Sequence, residues 1–252
     1  LTPAKTSLSS PSPSPQGETN PTPQAHDPSA AAWLYILPLV GFLALTALED
    51  KVPKGPGGSP EPSWFVAAYA LKMVVVTGLM WFCRASMRDL RPLPSAANIA
   101  LSVAVGLAVI VAWVGLDGHY PVFSFLGKRT AFDPGTLPAG LRWAFLVLRF
   151  YGLVLLVPPM EELFYRSFLT RWIVDPDFTK VPIGKVTSAG LAVTTALFGA
   201  SHPEWLPAVL TALAWGWLLA RTRSVSACVI SHATANLALG IYVLATGDWK
   251  FW

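Results

Sequence analysis

Charge is what this chain has least of. Only 13% of its 252 residues are Asp, Glu, Lys or Arg, while 53% are hydrophobic; a soluble domain carries about 25% charged residues. An ordinary water-facing globular domain is thereby excluded. Cysteine is nearly absent too. Cys83 and Cys228 are far apart, with no CxxC and no disulfide framework, and both read as small hydrophobes packed inside apolar stretches. The net charge of +4 comes without a basic run interleaved with aromatics, so nucleic acid is not an expected partner. The basic residues read instead as positive flanks of membrane helices. No internal repeat is visible.

What the chain has in quantity is long apolar runs. A bilayer-spanning helix needs roughly 20 mostly apolar residues. Candidate spans are Ala30–Leu48, Trp64–Phe82, Ala96–Leu116, Leu141–Trp172, Val186–Ser201, Leu206–Ala220 and Val225–Thr246. Trp33, Trp64, Trp143, Trp172 and Trp205 sit near their ends, where amphipathic rings favour the interface. Lys72 falls mid-span and must face the bundle or snorkel. The expected fold is therefore all-α, a polytopic transmembrane bundle of about seven or eight helices with an intramembrane polar cavity. The stretch 141–172 is long, roughly 48 Å at 1.5 Å per residue, and is interrupted by Pro158-Pro159. It reads either as one kinked helix or as two shorter ones.

Residues 1–28 are rich in Pro, Ser, Thr and Gln and almost devoid of large apolar side chains, a composition expected to stay disordered. They lack the apolar centre of a signal peptide, so Ala30–Leu48 reads as a retained helix and 29–252 as one integral membrane domain. The loop bearing Arg84, Arg88 and Arg91 is the most basic short connection. The positive-inside tendency puts it, and the amino terminus, on the cytoplasmic side, in a membrane of the bacterial inner type.

Ionisable groups within a bilayer cost about 3 kcal/mol or more each, and three apolar segments of the second half carry them. The first reads Pro158-Pro159-Met160-Glu161-Glu162-Leu163-Phe164-Tyr165-Arg166. Glu162 and Arg166, four apart with the acid first, can pair on one helix face. Glu161 points about 100° away and is left to face a cavity. A carboxyl in an apolar site ionises less readily than in water, which suits a general base near neutral pH. Each proline removes a backbone donor, so the carbonyls one turn earlier, at Val154 and Leu155, lack their usual partners, a place where water can enter. Taken alone, the same stretch is equally a helix start at the interface, with prolines and acids in its first turn. The second segment places His202 at the end of an apolar helix, four residues after Phe198; alone it is a polar cap. The third puts His232 and Asn236 on one helix face, where Asn also serves as interhelical glue. Together the three supply an acid/base, two imidazoles and an amide donor, the parts that peptide hydrolysis requires.

At these residues the chain resembles the CPBP family of CAAX proteases and bacteriocin-processing proteins, which includes the Ras-converting CAAX endopeptidase. The family pattern is EExxxR, FxxxH and HxxxN on successive helices. Here it reads Glu161-Glu162…Arg166, Phe198…His202 and His232…Asn236, over a core of about 141–246. The resemblance implies an eight-helix membrane fold with a cavity open to the bilayer. It implies that Glu161 and His202 activate water, that His232 and Asn236 form the oxyanion hole, and that Glu162 and Arg166 support the site, with no cofactor. The expected partners are the lipid bilayer and a protein or peptide substrate, lipidated or not, cut near its carboxyl end.

Other readings compete. Glu161, His202 and His232 could ligate zinc in a metallopeptidase, since three ligands and an open position are chemically normal, although no HExxH is present. A non-catalytic membrane scaffold has no use for so many costly polar groups. A transporter is expected to show interrupted helices in two matching halves, which the sequence lacks. Cys228, four residues before His232, could form a nucleophilic pair, but a packed thiol accounts for it.

Overall fold

A computed structural model describes residue 2 and residues 28–49, 51–55, 58–127 and 131–251. The expected disorder over 1–28 lies outside the described residues, apart from residues 2 and 28. Among the described residues the regular structure is helical, apart from one isolated bridge between Lys54 and Pro60. The long helices are α1 (Pro28–Glu49), α2 (Pro62–Phe82), α3 (Ala96–Gly115), α4 (Ala139–Trp172), α5 (Ser188–Ala200), α6 (Trp205–Thr222) and α7 (Val225–Thr246).

Local chemistry sets their ends. Ser95, Thr187 and Ser224 each cap a helix start by accepting an N–H from the third residue on. Glu61 does the same for α2, where Pro62 occupies the first helical turn. Helices α6 and α7 stop at Arg223 and Gly247, both left-handed, with φ of 52° and 72°. Within the apolar helices, Thr46, Thr77, Thr194 and Thr234 donate to the carbonyl one turn back. Their hydroxyls are thereby satisfied without water, as a bilayer requires.

Five helices are long and apolar enough to cross a membrane: α1, α2, α3, α4 and α7. Two of the seven expected spans fall short of this. Helix α5 has 13 residues, about 20 Å, against a hydrocarbon core of about 30 Å. Helix α6 has its apolar run diluted by Trp205, Trp215, Trp217, Pro207 and Arg221. Large apolar side chains point outward along the spanning helices, with Val74, Val111 and Val147 all near 70% exposed, a surface that water would oppose and lipid accepts. Trp33, Trp64, Trp143 and Trp172 are exposed in the same way. The protein is a multi-pass integral membrane protein.

The question of 141–172 resolves as one helix, continuous from Ala139 to Trp172. It is not a plain α-helix. Tyr151–Leu156 and Leu163–Leu169 are π-helical and flank the short α-turn Val157–Glu162. The helix-start reading of the prolines is thereby set aside. Wide π turns cluster at functional positions in helices, and here they bracket Glu161 and Glu162.

Close approach of α3 to α7 is set by Gly106. A Cβ at this position would come within 2.4 Å of the Ser231 carbonyl oxygen and 2.9 Å of Thr234 Cβ. The bare glycine seats α7, and with it His232 and Asn236, against α3.

Candidate active site

The motif residues meet around one cavity of about 440 Å³. Glu161 from α4, His202 from just beyond α5, and His232 and Asn236 from α7 all line it. Carboxylate, imidazoles and amide, separated by up to 75 positions in sequence, thus share one polar enclosure within the apolar bundle.

Glu161 and Glu162 part as their positions on the helix dictate. Glu162 is fully buried and does not line the cavity. Its Oε2 lies 3.3 Å from Arg166 Nε, and its Oε1 lies 3.0 Å from His232 Nδ1. Arg166 is equally buried, with its guanidinium packed against the rings of Phe198, Trp215 and Tyr165 at 5.6 to 5.8 Å. A buried charge without such partners is strongly unfavourable. Glu162 therefore links α4 to α7, while Glu161 faces the cavity.

Both imidazoles are oriented by the bond each makes on its far side. His202 Nδ1 lies 2.7 Å from the Phe198 carbonyl. A carbonyl can only accept, so the proton sits on Nδ1 and Nε2 is the basic nitrogen. The Phe198-x-x-x-His202 spacing has a direct physical role: residue 198 supplies the carbonyl that sets the tautomer, and its ring packs 4.5 Å from the imidazole. His202 also meets Trp113 edge-on at 5.7 Å. His202 lies one residue past the cap Ser201 rather than inside α5. His232 is stacked on Trp215, with centroids 4.3 Å apart, and Trp215 Nε1 donates to Ser231 Oγ at 3.0 Å.

Asn236 Nδ2 donates to the Leu153 carbonyl at 2.8 Å. This shifts the expected pair of orphaned carbonyls, Val154 and Leu155, by one position. Val157 N–H bonds to Gly152 O, five residues back, so the π register holds up to the residue before Pro158. In that register the N–H partner of Leu153 O is Pro158, which has none. The pair of carbonyls left by the two prolines is then Leu153 and Val154, and Asn236 satisfies the first. An amide nitrogen has two hydrogens; with one committed to Leu153, the second is the one the cavity can use.

Sequence reasoning missed Trp113, Trp215, Ser231 and Leu153. Trp215 lies in an apolar helix without any polar motif, and no sequence signal distinguishes it from the other tryptophans. It also missed the far end of the cavity. There Lys72, 4% exposed, forms an ion pair with Glu49 and lies 3.3 Å from Thr46 Oγ1, so it faces the bundle rather than snorkelling. Cys228 is buried and donates weakly to the Trp215 carbonyl at 3.5 Å, while His232 Nδ1 is engaged by Glu162. The nucleophilic Cys–His pair is not formed. Among the described residues, no group of three or more His, Cys, Asp or Glu side chains is placed to hold a metal ion.

The chain matches no curated protein and no solved structure. Its residues 142–238 match the family model described as type II CAAX prenyl endopeptidase Rce1-like. That stretch opens near the start of α4 and closes just past Asn236, so it contains both π-helical segments, the Glu162–Arg166–His232 link and every motif residue at the cavity. Over that stretch the chain is similar to the type II CAAX prenyl endopeptidases.

Proposed function

We propose that this protein is an intramembrane endopeptidase that hydrolyses a peptide bond near the carboxyl terminus of a membrane-associated protein or peptide. The observation that carries the reading is the convergence of Glu161, His202, His232 and Asn236 on one cavity. In this reading Glu161, assisted by His202 Nε2, takes a proton from water. The hydroxide adds to the scissile carbonyl carbon. The carbonyl oxygen becomes an oxyanion that accepts hydrogen bonds from the second Asn236 amide hydrogen and from His232. The contact between His232 Nδ1 and Glu162 fixes the ring so that its other nitrogen, Nε2, is the one that serves the oxyanion. Collapse of the adduct breaks the C–N bond, and the proton held at Glu161 passes to the leaving amine. Products are a shortened protein with a new carboxylate and a released peptide.

The family description names a prenylated CAAX substrate, and a lipidated tail suits a cavity within the bilayer. The proposed setting is a bacterial-type inner membrane with the amino terminus cytoplasmic, based on the basic loop at Arg84, Arg88 and Arg91.

The test uses the purified protein and a fluorescent prenylated CAAX peptide. Glu161→Gln should abolish cleavage while keeping the melting temperature of the parent. Full activity in that variant overturns the mechanism. Stoichiometric zinc, lost together with activity to a chelator, would replace direct water activation with metal ligation.

A further inference from the structure

His202 lies one residue past the cap of α5, so helix geometry alone does not fix its side chain. Part of its anchorage comes from Ser201. The Ser201 hydroxyl donates to the Phe198 carbonyl at 2.8 Å, and its Oγ lies 3.1 Å from His202 Nδ1. A hydroxyl has one proton, and here it is committed to a carbonyl, so Ser201 Oγ can only accept from a further partner. That partner is Tyr165, whose side chain hydrogen-bonds to that of Ser201. Tyr165 is therefore the donor.

Tyr165 stands on α4, four positions after Glu161. It lines the cavity together with Glu161, Ser201 and His202, and its hydroxyl feels the Glu161 charge. Its ring is held edge-on to Phe198, with centroids 5.3 Å apart, and the Phe198 ring packs 4.5 Å from the His202 imidazole. The side chain is 5% exposed. Phenylalanine would fill the same ring contacts. A phenolic hydroxyl in an apolar bundle is unfavourable unless it is bonded, and the bond it makes here goes to the neighbour of His202.

We propose that Tyr165 is a positioning residue for the hydrolysis: through Ser201 it ties His202 to the helix that carries Glu161, and so fixes the spacing of the two groups that activate water. The inference rests on the peptidase reading above. The bonds run from Tyr165 to Ser201 and on to the Phe198 carbonyl, where the His202 Nδ1–H also ends. Without the phenolic hydroxyl this bonded path to α4 is cut while the ring packing stays. Rates respond steeply to such loosening, since a displacement near 1 Å at a catalytic group costs about a hundredfold.

The test compares the unsubstituted full-length protein with Tyr165→Phe, Ser201→Ala, their double variant and the conservative Ser201→Thr. Two quantities are read: turnover of a fluorescent prenylated CAAX peptide, and hydrogen–deuterium exchange at the Ser201 and His202 amides, which bond to the Leu197 and Gly199 carbonyls. Tyr165→Phe should lower kcat about three- to tenfold with KM unchanged, the size of one lost hydrogen bond, and should speed exchange at both amides. Ser201→Ala should do the same. The double variant should be no slower than the worse single change, and Ser201→Thr should keep most of the rate. Where the unsubstituted protein cleaves the peptide, unchanged kcat or unchanged exchange in Tyr165→Phe overturns the proposal, as does a double variant whose losses multiply. If Tyr165→Phe does not fold, equal rates in Ser201→Ala and Ser201→Thr overturn it. Faster exchange in Tyr165→Phe, with an unsubstituted protein that cleaves no peptide, keeps the tie between α4 and His202 and sinks the peptidase reading.

Discussion

The side-chain amide of Asn236 on α7 donates to the main-chain carbonyl of Leu153 on α4 at 2.8 Å, and this bond satisfies a backbone acceptor while fixing the amide at the cavity wall. The carbonyl lacks a main-chain donor because the residue five positions on, just past the π turn, is Pro158. The amide that satisfies it is held in place with one hydrogen left for the cavity. Asn236→Ala should therefore fail in two ways. Loss of an oxyanion donor costs about a hundred- to a thousandfold in kcat. The exposed carbonyl should also lower stability by about 1–3 kcal/mol. Turnover of a prenylated CAAX peptide and the thermal midpoint, measured on the same preparation, check both. A variant with unchanged midpoint and unchanged kcat would show that the bond has neither role.

The two adjacent glutamates should separate cleanly by assay. Glu162 is buried between Arg166 and His232, so Glu162→Ala leaves a guanidinium uncompensated in an apolar interior. Removing one partner of such a pair costs about 3–5 kcal/mol. Glu162→Ala should melt far below the parent, whereas Glu161→Gln should not. If both variants melt together with the parent, Glu162 is not the structural link between α4 and α7.

How much of this was legible in the chain depends on whether the property was local. Helical periodicity alone separates Glu161 from Glu162 and pairs Glu162 with Arg166, and the coordinates agree. Hydropathy finds the spanning helices, and fails at α5 and α6, where length and tryptophan content decide. The π turn before Pro158 was not legible, because propensities assume the α period; the pair of orphaned carbonyls was consequently placed on Val154 and Leu155 instead of Leu153 and Val154. Trp215 against His232, and Lys72 beside Arg149 across Tyr69, are contacts between distant segments. Nothing in the neighbourhood of either residue in sequence announces them.

Gly106 offers a test of helix spacing that touches no motif residue. Its Cβ in Gly106→Ala would sit 2.4 Å from the Ser231 carbonyl oxygen. That atom is backbone and cannot swing aside, so α7 must move away from α3, and His232 and Asn236 move with it. Overpacking of this kind costs about 1–3 kcal/mol, and displacements near 1 Å at a catalytic group cost about a hundredfold in rate. Activity should fall more steeply than stability. Gly78, whose Cβ would meet nothing within 4 Å, provides the control: Gly78→Ala should leave turnover unchanged.

The Lys72–Glu49 pair joins α2 to the end of α1 inside the bundle, with side chains 5% and 10% exposed. Lys72→Met strands the Glu49 carboxylate in an apolar setting, and Glu49→Gln strands the ammonium. Each single change should cost about 3–5 kcal/mol. The double variant removes both charges, and well-packed neutral replacements of a buried pair are often neutral or better. Its melting temperature should recover most of the loss, so that the double variant is far less destabilised than the sum of the two single changes. Additive losses would instead mean that the two charges are not coupled, and that α1 is held to α2 by apolar packing alone.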